Sequence, residues 1–261
     1  MQTIEQRALS ALHDFKFPYC GHVQLAFLGG STMHGAKVEG AEDTDWYGLF
    51  IEPPEKALGL DSMQHFVATT GDGTGNVPSD VDVTFYSLRK WAQLAAKGNP
   101  TILGFLFVKK AYSCPYWLIF KEKAKHLLVA KSQLSAFIGY GEGQRKRLIG
   151  EAGQKNVKRT ALESEFGYDT KYAMHALRLC QEGIEFARTG HITYPRPNAA
   201  ELIDVRLGKY SLDDINKWIA EEIEALKQAQ DASPLPPTID RDKVSELLAK
   251  TYLEYYEHME L

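Results

Sequence analysis

The sequence predicts an α+β protein: a small mixed sheet with helices over residues 1–112, followed by an α-helical part over residues 113–261. Three observations carry this. Short apolar strand signals bounded by glycine and proline are confined to the first part. From about residue 115 the apolar residues recur at helical spacing instead. The length of 261 residues fits one large domain or two modest ones.

Residues 1–15 read as a short helix, with Ile4, Ala8, Leu9 and Leu12 at helical spacing. Residues 22–28 form a strand that runs into Gly29-Gly30-Ser31, and a second strand over 46–52 stops at Pro53-Pro54. A glycine-rich loop over 71–79 leads to a third strand, 81–86. Ser87 is placed to cap a helix reaching about Lys97, whose Leu88, Trp91, Ala92, Leu94 and Ala95 share one apolar face; Gly98-Asn99-Pro100 ends it. Helical patterns then cover about 115–150, 167–189, 211–230 and 239–258. Ser211 caps the third of these, with Asp213 and Asp214 in its first turn, where the helix dipole favours anions. The stretch SPLPP at 233–237 is a stiff linker, and no repeat or coiled-coil heptad is present.

A net charge of −4 and a pI near 6.1 give no global attraction to nucleic acid or to an anionic membrane, so contact with nucleic acid requires a local basic patch. Cys20, Cys114 and Cys180 are far apart and odd in number; they read as buried thiols in a reducing cytoplasm. No stretch approaches the roughly 20 apolar residues of a membrane span, and the first residues lack the apolar run of a signal peptide.

The chemistry is concentrated in Gly29-Gly30-Ser31 and Asp43-Thr44-Asp45. Aspartates at i and i+2 on a strand point to one face. Two carboxylates so close repel each other unless a cation lies between them. Magnesium (Mg2+) suits such a site because it takes hard oxygen ligands from carboxylates and substrate phosphates; two ions are expected, with Mn2+ as a substitute. A third carboxylate must come from a neighbouring strand. Asp80 and Asp82 both qualify, and Asp82 is favoured because it lies inside the apolar strand. Gly30 lets a phosphate approach the backbone, and the Ser31 hydroxyl adds a hydrogen bond to a terminal phosphate.

The string GGSTMHG…EDTDWYGLFI resembles the Gly-Ser…Asp-x-Asp signature of the DNA polymerase β-like nucleotidyltransferase superfamily. More narrowly, the chain from about residue 22 to 250 resembles the predicted nucleotidyltransferases of bacteria and phages grouped with an RNA repair pathway. The narrower match rests on YSLRKW at 86–91, GNPT at 98–101, FIGY at 137–140 and GYDTKYAMHALR at 167–178. Glu42 stands where relatives usually have serine before Asp43. The resemblance implies a polymerase β-like catalytic domain over 1–112, a helical substrate- and nucleotide-binding domain over 113–261, a nucleoside triphosphate such as ATP as substrate, and an RNA end as acceptor. It also places Lys171 in a shared motif, as a contact to phosphate.

Lys171, His175 and Arg178 lie at i, i+4 and i+7, on one helix face that can hold a triphosphate or an RNA backbone. His175 is equally readable as a core histidine. Tyr168 and Tyr172 flank Lys171, either to stack on a nucleobase or as core. His34 faces the substrate or caps its turn. The stretch QRKRLIGEAGQKNVKR at 144–159 has six basic side chains and one acidic, and reads equally as a binding patch or a solvated face. The expected activity is nucleotidyl transfer by Asp43, Asp45 and Asp82, with Gly30, Ser31, Lys171, His175, Arg178 and Tyr168 on the nucleotide. The acceptor is RNA, protein or a small molecule, and the rival reading is a non-catalytic nucleotide-binding regulator or antitoxin-like module.

Overall fold

The computed structural model describes residues 2–38, 43–71, 80–151 and 160–259. Glu42, residues 72–79 of the glycine-rich loop and residues 152–159 of the basic stretch lie outside the described residues.

Helix α1 (Ile4–Asp14) opens the chain, closed at its start by a reciprocal pair in which Thr3 accepts from Gln6 N and the Gln6 side chain accepts from Thr3 N. Strand β1 (Val23–Leu28) follows, then the short α2 (Gly30–His34), β2 (Thr44–Phe50), α3 (Pro54–Leu58), β3 (His65–Thr69) and β4 (Val81–Ser87). Next come α4 (Leu88–Ala96), α5 (Pro100–Gly104) and β5 (Tyr112–Ser113). The remainder is helical: α6 (Pro115–Leu127), α7 (Leu134–Leu148), α8 (Thr160–Phe166), α9 (Thr170–Thr189), α10 (Ala199–Arg206), α11 (Leu212–Asp231) and α12 (Arg241–Glu257). This is the α+β arrangement expected, with a mixed sheet followed by helices.

The sheet order is β3-β4-β2-β1-β5. β2 pairs antiparallel with β1 and parallel with β4, and the parallel register sets Asp45 beside Asp82 and Tyr47 beside Thr84. Alternation along β2 and β4 sends Trp46, Val83 and Phe85 into a core under α1, while Asp45, Tyr47, Asp82 and Tyr86 face the helices of the other side. That second face is covered by a larger core running from Phe27 and Trp91 through Phe137 and Leu177 to Leu226.

Several expectations are refined. The second strand begins two residues earlier than periodicity indicated, so Asp45 lies within it and Asp43 just before it. The edge strand β3 and the two-residue β5 escaped notice because neither is long enough to alternate clearly. The pattern over 115–150 is two helices. The chain breaks at Leu128–Ala130, where the buried Gln133 amide accepts from Ala130 N and donates to Ala95 O, replacing helical bonds. Ser87 and Ser211 cap α4 and α11 as expected, and Asn99, read as a helix breaker, caps α5. All three cysteines are free, but only Cys180 is buried; Cys20 and Cys114 are half-buried.

Gly48 marks where the sheet tolerates no side chain. A Cβ there would stand 2.3 Å from Leu25 O and 2.1 Å from the Phe85 ring. Gly48→Ala is expected to destabilise the protein by about 1–3 kcal/mol through overpacking. A lower urea midpoint at unchanged m-value would show it, and an unchanged midpoint would contradict the packing described.

Candidate active site

The turn after β1 is built to press against β2. Gly29 N donates to Asp45 O at 2.9 Å. A Cβ on Gly29 would meet the Tyr47 ring at 2.0 Å, and one on Gly30, whose φ is +52°, would meet Asp45 Oδ2 at 2.0 Å. Only glycine allows both the approach and the left-handed backbone. Ser31 and the rest of α2 therefore start directly over the Asp45 carboxylate.

Asp43, Asp45 and Asp82 each bring a carboxylate oxygen to within 4.8 Å of the others, and all three are half-buried. The register explains the meeting: Asp43 and Asp45 share a strand face by their spacing, and Asp82 is the parallel-strand partner of Asp45. Asp80 is buried at the start of β4, where its backbone oxygen accepts from Thr44 N at 2.8 Å, and it is outside the cluster.

The opposite wall is α9. Asp169 caps it, accepting from Lys171 N at 2.9 Å and Tyr172 N at 3.1 Å. Lys171, Met174, His175 and Arg178 follow on one face, and with Gly30, Ser31, Asp43 and Asp45 they line a cavity of about 250 Å³. Arg206 of α10 joins them, its Nη1 donating to Thr170 Oγ1 at 2.9 Å. The helix face read from the i, i+4, i+7 spacing thus meets the carboxylates across one cleft.

Behind this cleft lies a buried charge network. Arg178 Nη1 donates to both oxygens of Glu182, at 3.0 and 2.9 Å, and its Nη2 lies 3.4 Å from His175 Nδ1. His34 Nδ1 is 3.1 Å from Glu182 Oε1, angled away from a good hydrogen bond. Burial alone would raise the Glu182 pKa, but the charge of Arg178, then His34 and Arg196, brings it down to about 2. Burial lowers His34 to about 4, and Arg178 adds to the effect. Burial, then the charge of Asp45, pushes the Tyr47 phenol up to about 12. Near neutrality the network is a carboxylate, a neutral imidazole and two guanidinium groups.

Of the residues chosen from sequence, Gly30, Ser31, Asp43, Asp45, Lys171, His175 and Arg178 line this cleft, and Asp82 reaches its carboxylates from β4. Tyr168 does not line it. It is 3% exposed and its hydroxyl donates to Tyr210 O at 2.8 Å, which makes it a core residue and leaves its hydroxyl committed to the backbone. Arg145 is bound to Asn216 of α11 at 2.8 Å rather than turned to the carboxylates. His34 lines the cavity too, at the end of α2 with its ring against Glu182. Arg206, Thr101 and Glu182 are not among the site residues the sequence suggests, although Thr101 belongs to the GNPT segment. Glu182 was findable, because it lies four residues after Arg178 on the same helix face; Arg206 and Thr101 reach the cleft only through tertiary folding.

Two outcomes follow. His34 takes up a proton less readily when folded than its ordinary value near 6.5, so the unfolded chain gains protons first as pH falls. Stability is expected to drop from pH 6.5 towards 4, and Glu182 extends the loss from about 4.5 towards 2. In urea titrations His34→Gln should flatten the upper arm and keep the lower one; equal slopes in both proteins would refute the assignment. Separately, millimolar Mg2+ or Mn2+ should raise the thermal midpoint by about 2–4 °C. Asp45→Asn should abolish that response while raising the metal-free midpoint, because it removes like-charge repulsion. An identical metal response in the variant would exclude the cluster as the binding site.

A curated relative, an uncharacterized 38.9 kDa protein in the nrdC-mobD intergenic region of Enterobacteria phage T4, is 27% identical over 111 residues. The match covers 41% of this chain and 32% of that protein, so it spans about a third of the relative's length. A crystal structure of a nucleotidyltransferase-like protein from Exiguobacterium sibiricum 255-15 aligns with 87% of this chain and 74% of its own, at 12% identity and a TM-score of 0.30, too low a score for either fold or function to be read from it. Residues 4–250 match the family described as RlaP, RNA repair pathway DNA polymerase beta family, and the chain belongs to that family.

Proposed function

We propose that this protein is a metal-dependent nucleotidyltransferase that moves a nucleoside monophosphate from a nucleoside triphosphate such as ATP to an acceptor hydroxyl and releases pyrophosphate. The observation that carries this reading is the meeting of Asp43, Asp45 and Asp82 within 4.8 Å, beside the Gly30-Ser31 turn and opposite the basic face of α9. Membership of a polymerase β family supports it.

The donor set fits Mg2+, or Mn2+ in its place, because every ligand offered is a hard carboxylate oxygen and no cysteine or histidine belongs to the cluster. Held by Asp43, Asp45 and Asp82, two such ions would supply charge neutralisation at the phosphates and acidify the attacking hydroxyl. The chain's own residues do the positioning. The Gly30 backbone and the Ser31 hydroxyl hold the terminal phosphates over β2. Lys171 brings a point charge from the facing wall, and Arg206 brings a guanidinium. Glu182 keeps Arg178 rigid at the cleft, at the cost of part of its charge. The acceptor hydroxyl attacks the α-phosphorus in line, its proton passes to the Asp82 carboxylate, and the bond to the pyrophosphate oxygen breaks. In this reading residues 1–112 form the catalytic domain, and the helices of 113–261 close the cleft and bind nucleotide. An RNA end is the favoured acceptor, on the strength of the family's description, and the cytoplasm, where triphosphates and RNA are available, is the expected compartment.

The test is transfer of label from each α-labelled triphosphate, with Mg2+, into pools of RNA, protein and metabolites. Wild type should label one pool, and Asp45→Ala should lower the rate at least about a thousandfold while remaining folded. Nucleotide binding without any transfer would replace this reading with that of a regulatory module.

A further inference from the structure

A second cavity of about 420 Å³ opens beside the carboxylate cleft and shares Tyr47, Thr101, His175 and Arg178 with it. Its chemistry is different. Four tyrosines, Tyr47, Tyr86, Tyr140 and Tyr172, line it together with the carboxamides of Asn99 and Gln144. Among the described residues no acidic side chain lines it, so they offer an amino sugar or a basic peptide no counter-charge. The segments YSLRKW, GNPT, FIGY and GYDTKYAMHALR, apart in sequence, each send residues to this one cavity.

We infer that this cavity is a nucleobase pocket, a reading that rests on the transfer proposed above. A flat ring presents faces to stack on and an edge of donors and acceptors, and the pocket offers the complement of both. Tyrosine rings stack on bases of any identity, and carboxamides hydrogen-bond their edges. Gln144 Oε1 is buried with no hydrogen-bond partner among the described residues, an arrangement that an exocyclic amino group of a base would satisfy. Asn99 Oδ1 is occupied in capping Ile102 N at 3.2 Å, while its Nδ2 lies 3.5 Å from the Tyr140 hydroxyl at the exposed rim. Tyr47 follows Asp45 by two residues and Tyr86 follows Asp82 by four, so both rings stand on the strand face that carries the carboxylates. The Gly29-Gly30-Ser31 turn takes no part. The base belongs either to the incoming triphosphate or to the terminal nucleotide of the acceptor.

The test uses the full-length protein, titrated in Mg2+ with ATP, with inorganic tripolyphosphate and with a short single-stranded RNA. Wild type is compared with Gln144→Leu and Tyr140→Ala, each checked for an unchanged thermal midpoint. Loss of ATP affinity by about tenfold or more, with tripolyphosphate unaffected, assigns the pocket to the base of the triphosphate. The same loss for RNA, with ATP and tripolyphosphate unaffected, assigns it to the acceptor's base. Unchanged affinities in both variants would overturn the pocket and leave the transfer reaction standing, as would losses shared equally by tripolyphosphate. If wild type binds none of the three probes, the transfer reading falls with it.

Discussion

Glu182 is wholly buried on α9, and its two oxygens face Arg178 on its own helix and His34 at the end of α2. A carboxylate so placed is stable only while those partners stay, since an unpaired buried charge costs several kcal/mol. The geometry of the cleft depends on this constraint. α2 begins at Gly30, over Asp45, and α9 carries Lys171 and His175 on the opposite wall. The contact between His34 and Glu182 links the glycine turn to the basic helix. Arg196, whose backbone N–H donates to His34 O at 3.0 Å and whose guanidinium pairs with Glu185, ties the chain after α9 to the same point.

The sheet supplies the other half of the site by register alone. Parallel pairing of β2 with β4 puts Asp45 level with Asp82, and the two-residue period puts Asp43 on the same face. Asp45 and Asp82 are brought together within the sheet, and Asp43 joins them from the residue just before β2. The strands that carry them are anchored by apolar packing, including the buried Trp46, Val83 and Phe85. Three carboxylates this close offer a set of hard oxygen donors suited to a divalent cation.

How much of this was legible in the sequence varied with the kind of signal. The pair Asp43 and Asp45 was readable from its two-residue spacing, whereas the choice of Asp82 over Asp80 is decided by the β2–β4 pairing, which leaves no local mark. The basic face of α9 was readable because helical spacing alone groups Lys171, His175 and Arg178. Tyr168 was assigned to the cleft by its nearness to Lys171. It precedes the helix and folds inward to Tyr210, and no periodicity registers that turn. Arg206 and Thr101 enter the cleft from elements remote in sequence, and the short edge strands β3 and β5 take their structure from neighbours rather than from their own pattern. Segments whose conformation is decided locally were visible, and those decided by packing were not.

The charge balance of the cleft bears on which polymer it can hold. The chain is acidic overall, at −4, and the cleft itself sets three aspartates against Lys171, Arg178 and Arg206. Arg178 is largely spent on Glu182, so the net field at the wall is weaker than a count of basic residues suggests. A long stretch of RNA backbone requires many cationic contacts to hold at physiological salt, and among the described residues the cleft offers it only Lys171, Arg178 and Arg206. On the proposed function, recognition would rest on a small number of phosphates and on contacts that salt does not screen, such as stacking on rings. An enzyme built this way would engage the end of a strand rather than its length.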